Sequence, residues 1–274
     1  VQLWLRMHLL RLALVCLGLG AANAYSGGFW SKGRRHALRP AGSTSPRALA
    51  PRPLRMAQEE PMSLTEKGRN LGEKLKGVSI FLVGMMGSGK TTAGEIFARS
   101  LGSYSFLDSD GIIEKLQQRT VAQIFEEDGE GVFRELESKV LSELKAYVRV
   151  VVSTGGGAVI SDANWGHLQS GIVVFLDVPA QALADRVAQS EEQLSSRPLL
   201  AGEDGGDPSE KISTILEQRR SKYEQADITV TLDGSEPLDD CATRIIDAIE
   251  NYLSTNPPKW KQWQERARGE GLNV

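Results

Sequence analysis

Val78-Ser79-Ile80-Phe81-Leu82-Val83 runs straight into Gly84-Met85-Met86-Gly87-Ser88-Gly89-Lys90-Thr91-Thr92, and a helical pattern follows from Ala93 to Leu101. The apolar, β-branched run reads as a buried parallel strand. The residues after it spell G-x-x-x-x-G-K-T between a strand and a helix, the context a phosphate-binding P-loop requires. Glycines there let backbone N–H groups turn inward and form an anion nest at a helix N-terminus. Lys90 is placed to reach the β- and γ-phosphates of a nucleoside triphosphate, and the Thr91 hydroxyl to sit on Mg²⁺. The competing reading is a glycine-rich turn, which the flanking strand and helix argue against.

Working outward, the rest of the chain continues the alternation. Strands are expected at Val78–Val83, Tyr104–Leu107, Arg149–Ser153, Ile172–Leu176 and Ile228–Thr231. Helical patterns fill Lys90–Leu101, Gly111–Gln118, Val121–Asp128, Gly129–Tyr147, Ala163–Gln169, Ala180–Ala188, Pro208–Ala226 and Leu238–Leu253. Thr120 and Asp162 are the expected N-caps of the helices they precede, and Ser63 to Lys76 is a polar lead-in with weak helical character. This order predicts an α/β domain over residues 63–254, a parallel sheet with helices on both faces. Two segments break the rhythm. Gln189 to Asp207 is polar and glycine-rich around Arg197-Pro198-Leu199-Leu200, as a mobile functional loop would be. A tail, 255–274, carries Pro257-Pro258 and then Trp260 and Trp263 among charges.

Charge is unevenly spread over the 274 residues. Residues 1–58 hold nine of the 32 Lys/Arg and none of the 35 Asp/Glu, so the remainder has 23 basic against 35 acidic residues, a net of −12. An acidic body without a basic stripe argues against a nucleic-acid partner. The basic segment reads as a targeting leader. Residues 1–24 are signal-like: Leu9 to Leu19 is a short apolar run beside Arg6 and Arg11, ending in the small-x-small pattern Ala22-Asn23-Ala24. That run is too short to span a bilayer comfortably, and no membrane contact is expected of the mature form. Residues 25–58 are transit-like, rich in Arg, Ser, Ala, Gly and Pro. A signal-like segment followed by a transit-like one resembles the two-part leader of proteins imported into plastids with extra membranes; the alternative is a plain secretory signal with a linker. Of the two cysteines, Cys16 lies in the leader and Cys241 in an amphipathic helical pattern. A lone cysteine forms no internal disulfide, so the body suits a reducing compartment, and Cys241 is read as core.

Three further clusters carry chemistry. Strand two ends in Asp108-Ser109-Asp110, at the carboxyl edge where ligands of open α/β sheets gather. Asp108 suits a place beside Mg²⁺, and Asp110 can orient or deprotonate an attacking hydroxyl; either can instead cap the next helix. Arg134 and Glu137 stand i, i+3 on one helical face, so the carboxylate can hold the guanidinium, although a surface ion pair has the same spacing. Gly155-Gly156-Gly157 follows a buried strand and lets a ligand approach the backbone, or makes a tight turn.

Taken in order, Gly84 to Thr92, Asp108-Ser109-Asp110, Phe133-Arg134 with Glu137, Gly155-Gly156-Gly157, Arg197-Pro198-Leu199-Leu200 and Arg219 with Tyr223 make the chain resemble shikimate kinase. The resemblance spans Val78 to Val230, and Ser161 to Trp165 looks like the plant and algal enzymes. It implies a three-layer P-loop kinase fold, nucleoside-monophosphate-kinase-like, with a five-stranded parallel sheet and a mobile lid. It also implies ATP as co-substrate, Mg²⁺ and shikimate as ligands. By resemblance, Gly87, Ser88, Gly89, Lys90, Thr91 and Thr92 cradle the phosphates, and Thr91 and Asp108 serve the metal. Asp110 takes the ring hydroxyl that is phosphorylated, Arg134 and Arg219 clamp the carboxylate, and the Gly156 backbone touches the substrate. Arg197 closes over the phosphates, and Lys90, Asp110 and Arg197 carry the catalysis. Arg186 lies against the adenine, although its spacing to Arg197 is longer than in relatives. The chain also lacks a proline that many relatives carry just before the Tyr223 position, so Arg219 and Arg220 both remain candidates for the carboxylate, with the count from Tyr223 favouring Arg219. The expected activity is transfer of phosphate from ATP to shikimate on the route to aromatic amino acids. The alternatives are another small-molecule kinase of the same fold and a non-catalytic shikimate-kinase-like plastid protein.

Overall fold

The aliphatic run after Ser79 forms β1 (Ile80–Val83), all four residues of which are buried. It starts two residues later than the sequence predicts because Val78 belongs to a turn, its N–H donating to Leu75 O (3.0 Å). The computed structural model describes residues 62–188 and 208–256. The leader at 1–58, the Arg197 to Leu200 block and the tryptophan tail lie outside the described residues.

Around β1 the described residues form a five-stranded sheet with β2 (Ser105–Asp108), β3 (Val150–Ser153), β4 (Ile172–Asp177) and β5 (Ile228–Thr231), in the order β2-β3-β1-β4-β5. Every neighbouring pair is parallel. Strands β1 and β3 are buried throughout, as strands covered on both faces must be. The edge strand β5 alternates buried and exposed residues instead. Register sets Leu82 beside Ser153 and Ser153 beside Asp108, so three strands deliver their carboxyl ends to one level. The expected boundaries hold to within two residues elsewhere in the sheet.

Parallel strands need crossovers, and helices supply them. They are α1 (Leu64–Leu75), α2 (Lys90–Ser100), α3 (Ser109–Gln117), α4 (Val121–Glu127), α5 (Gly129–Leu144), α6 (Asp162–Leu168), α7 (Ala180–Ala188), α8 (Pro208–Tyr223) and α9 (Leu238–Thr255), with a 3-10 turn at Ala158–Ile160. Helix α2 lies on β1, β2 and β3, α9 packs on α2 and β5, and α1 crosses α2 and α9. Helix α5 packs on α3, α4 and α6, and α8 on α7 and the 3-10 turn. The large buried side chains Phe81, Phe97, Phe175 and Tyr223 fill the layers between. Cys241 is buried in α9, as core.

Three local expectations are corrected. The lead-in at Ser63 is a full helix, not a weak one. Ser63 Oγ accepts from Glu66 N (3.4 Å) while Glu66 Oε2 accepts from Ser63 N (3.0 Å), a capping box. Leu71 and Leu75 are buried under it, and Gly68 and Gly72 bring its backbone against Ser100 and Leu101. Asp162 is not a cap: Ser161 holds the N-cap position of α6 without a side-chain bond, and Asp162 pairs with Lys222 Nζ of α8 (2.6 Å). Helix α3 begins at Ser109 rather than Gly111, because Asp108 caps it. Thr120 does cap α4, in a second capping box with Gln123.

Candidate active site

The loop from β1 to α2 closes through three glycines at positive φ, Gly84 (149°), Gly87 (80°) and Gly89 (87°). Gly89 is the N-cap of α2 and carries no side-chain cap, which leaves the first N–H groups of the helix for a ligand. Lys90 is 7% exposed, with its ammonium folded onto Gly84 O (2.9 Å) and Met85 O (2.8 Å). The Ser88 hydroxyl lies beside it, accepting from Lys90 Nζ at 3.5 Å.

Beyond the loop, hard oxygen donors gather at the strand ends. Thr91 Oγ1 donates to Asp108 Oδ2 (2.9 Å) and lies 3.2 Å from Ser153 Oγ. The other Asp108 oxygen accepts from Gly111 N (3.0 Å), so this residue both caps α3 and faces Thr91. Asp110, in the first turn of α3, borders the cavity, but its Oδ1 is enclosed and unpartnered. Burial, then the neighbouring Glu137 and Asp108, push its carboxyl up to about 7, against the pull of Lys90 and Arg134. A carboxylate of that affinity takes a proton readily at neutral pH.

Arg134 is fixed on every side. Its Nη1 pairs with Glu137 (3.0 Å) and its Nη2 with Glu130 (2.9 Å). Its guanidinium stands 5.4 Å from the Phe133 ring centroid and 6.0 Å from that of Phe125. Glu137 is fully buried, and burial raises its pKa while Arg134 opposes the shift. The i, i+3 pair is therefore a buried clamp and not a surface ion pair. The glycine run is required by these neighbours: a Cβ on Gly155 would stand 2.5 Å from Glu137 Oε1 and 2.7 Å from Asp110 Oδ1, and one on Gly157 would run into the Arg134 guanidinium.

Arg219 of α8 reaches the same place, its Nη1 donating to Gly156 O (3.1 Å). Arg220 points elsewhere, to Asp177 (3.2 Å) and Glu224 (3.7 Å). The structure thus separates two residues that sequence left open. The Tyr223 hydroxyl also donates to Gly156 O, and its ring stacks on Phe175 with centroids 5.0 Å apart. Burial pushes that phenol up to about 12, so it stays a donor. Arg186 of α7 lies at the P-loop end, bonded to Gly87 O (2.9 Å) and Gly234 O (2.6 Å).

One cavity of about 940 Å³ joins these parts. Gly87, Gly89, Lys90, Thr91, Thr92 and Asp108 line one end; Asp110, Arg134, Gly156 and Arg219 line the other. Of the residues singled out in sequence for the site, Ser88, Glu137 and Arg220 are absent from the wall, and Arg197 lies outside the described residues. Two contributors had no role assigned from sequence. Ser153 joins the oxygen cluster, and its signal was its place at the last position of a strand. Tyr223 orients Gly156, which no local pattern announces.

A P-loop joined through one cavity to an arginine-lined second pocket, on a parallel five-stranded sheet, defines a small-molecule kinase. Residues 86–250 match the family profile described as shikimate kinase. The chain belongs to the shikimate kinase family, whose reaction is the ATP-dependent phosphorylation of shikimate. Among curated relatives, the shikimate kinase of Nostoc punctiforme is 44% identical over 179 residues, 65% of this chain and 94% of that protein. That of Gloeobacter violaceus is 49% identical over 163 residues, 60% of this chain and 88% of that protein. Among solved structures, the shikimate kinase of Acinetobacter baumannii in complex with shikimate superposes with a TM-score of 0.60 at 35% identity, covering 69% of this chain and 99% of that one.

Proposed function

We propose that the two ends of the cavity hold ATP and shikimate, and that the γ-phosphoryl group passes between them to give ADP and shikimate 3-phosphate. The observation that carries this reading is the single cavity with the phosphate nest at one end and Asp110, Arg134 and Arg219 at the other. Arginine suits the shikimate carboxylate because its planar fork pairs with both oxygens. The Asp110 carboxylate takes the proton of the attacking hydroxyl as the new O–P bond forms and the bond from γ-phosphorus to the bridging oxygen breaks. The proton then leaves to solvent. Lys90, now folded on its own loop, supplies the positive charge for the phosphates. By the same resemblance, Arg197 adds a second charge at the phosphates.

Thr91, Asp108 and Ser153 fit Mg²⁺: their hard oxygens lie together, and these residues would hold the ion. Bound there, the ion would neutralise phosphate charge. A coupled ADP-release assay with shikimate, quinate, gluconate and CMP in parallel tests the reading. Turnover confined to shikimate supports it, and turnover only with another acceptor overturns it.

The same reading extends to location. The signal-like segment at 1–24 and the acid-free, basic segment at 25–58 direct the protein to a plastid with extra membranes. Reporter fusions test this: residues 1–58 carry the reporter into the plastid and residues 1–24 alone leave it in the secretory route. Secretion of both fusions would refute the plastid address.

A further inference from the structure

The connection from β5 to α9, Asp233-Gly234-Ser235-Glu236, has no part in the chemistry above, yet it touches the site. Glu236 is the centre of its order. Its side chain is 7% exposed, and its carboxylate accepts from Asp233 N (2.7 Å) and Gly234 N (2.9 Å) and pairs with Arg244 Nη1 (3.2 Å). Arg244 is itself held by Thr231 O (3.0 Å) at the end of β5. A largely buried carboxylate that accepts from two backbone N–H groups and pairs with one guanidinium is stiff, because each oxygen is committed. Asp233 Oδ1 adds bonds from Ser235 N (2.7 Å) and Oγ (2.8 Å).

What this stiffness fixes is Gly234. Its φ is +92°, and a Cβ there would collide with Ala182 of α7, so the loop is seated on that helix in one conformation. Gly234 O accepts from Arg186 Nη2 (2.6 Å), while Arg186 Nη1 donates to Gly87 O (2.9 Å) of the P-loop. The planar guanidinium is stretched between two carbonyls, one on each side, and it borders the cavity beside Gly89. A fork held at both ends has a fixed plane; released at one, it turns about the other.

We propose that Glu236 is a positioning residue for the nucleotide end of the cavity, acting through Gly234 O to set the plane of Arg186 against the P-loop. It presets the wall that the nucleoside part of the phosphate donor meets. This rests on the reading of that end as the ATP site.

The test compares Glu236→Ala, Arg186→Ala and the double variant with the wild type, using the ADP-release assay and melting temperatures. KM for ATP rises about tenfold in Glu236→Ala, the size of one charge-assisted hydrogen bond expressed as affinity. The KM for shikimate and kcat stay near wild-type values, and the double variant is no worse than Arg186→Ala alone. Glu236→Gln keeps the volume and one good acceptor, so it folds if Glu236→Ala does not, and it shows a smaller rise in the same constant. An unchanged KM for ATP, a parallel loss for both substrates, or additive effects in the double variant would overturn the proposal. ADP affinity by calorimetry keeps the two readings apart. If the wild type fails to phosphorylate shikimate, the activity reading falls, while ADP affinity still decides the role of Glu236.

Discussion

Asp110 is held where its charge is unfavourable, between Glu137 and Asp108 and with one oxygen enclosed. The unfolded chain ionises this residue near the ordinary 3.8, and the folded chain near 7. Between those values the folded state keeps a proton that the unfolded state has lost. Its contribution therefore favours folding below about pH 4 and is lost as the pH climbs through about 7. In ligand-free protein with a chelator present, Asp110→Asn is expected to melt higher than the wild type at pH 8 by about 2 °C or more, equivalent to roughly 1 kcal/mol. The gain shrinks toward pH 4, while kcat falls by about a hundredfold or more. A melting difference that ignores pH would mean the carboxylate is solvated. The two neighbouring arginines give a second contrast. Arg219→Ala should raise the KM for shikimate about tenfold to a hundredfold, the loss of a charge-assisted pair. Arg220→Ala removes exposed ion pairs worth under about 1 kcal/mol and should leave it unchanged; the opposite pattern would reassign the carboxylate ligand. Sequence made the P-loop, Asp108, Asp110 and the Arg134–Glu137 clamp legible because each is set by spacing within one turn or one strand end. Arg219 against Arg220 was not, because the choice depends on how α8 is rotated, and that is fixed by Tyr223 packing on Phe175 and bonding to Gly156.

Helix α1 shows what sequence patterning understates. Its mean composition is polar, and the reading of Ser63 to Lys76 as a weak helix follows from that. Its stability comes from elsewhere: a reciprocal cap at Ser63 and Glu66, two glycines that admit Ser100 and Leu101, and Leu71 and Leu75 against α2 and α9. The ion pairs Lys67–Asp247 (2.7 Å) and Lys74–Glu250 (2.6 Å) are solvated and add little. Leu71→Ala is accordingly expected to cost about 3 kcal/mol in denaturant unfolding, with the KM values unchanged because the helix lies far from the cavity wall. A loss under 0.5 kcal/mol would mean that α1 is not part of the cooperative core. The sheet, in contrast, was legible almost to the residue, since its central strands are unbroken aliphatic runs bounded by glycine and polar residues.

Over the whole molecule, the site is assembled from segments far apart in sequence: the P-loop at 84–92, Arg134 in α5, Gly156 after β3 and Arg219 in α8, all brought to the carboxyl edge of one sheet. Each ligand bound there stabilises the entire folded body, so affinity at either end can be read as melting temperature. A ligand at a hundred times its Kd adds about 2.7 kcal/mol, or roughly 5–10 °C for a domain of this size. Because the two ends share a cavity but not their donors, the shifts should separate. Lys90→Ala should lose the ATP shift, keep that of shikimate and abolish phosphoryl transfer. Arg134→Ala should do the reverse, losing the shikimate shift and keeping that of ATP. The second variant is the harder test, because Arg134 also neutralises Glu130 and the buried Glu137. Removing it leaves Glu137 buried without its partner and lowers the melting temperature of the free protein. The shift on adding ligand is measured from that lower baseline, so a structural cost and a binding loss do not mix. Equal loss of both shifts in Arg134→Ala would make Arg134 a strut of the fold; loss of the shikimate shift alone makes it the hand that holds the substrate.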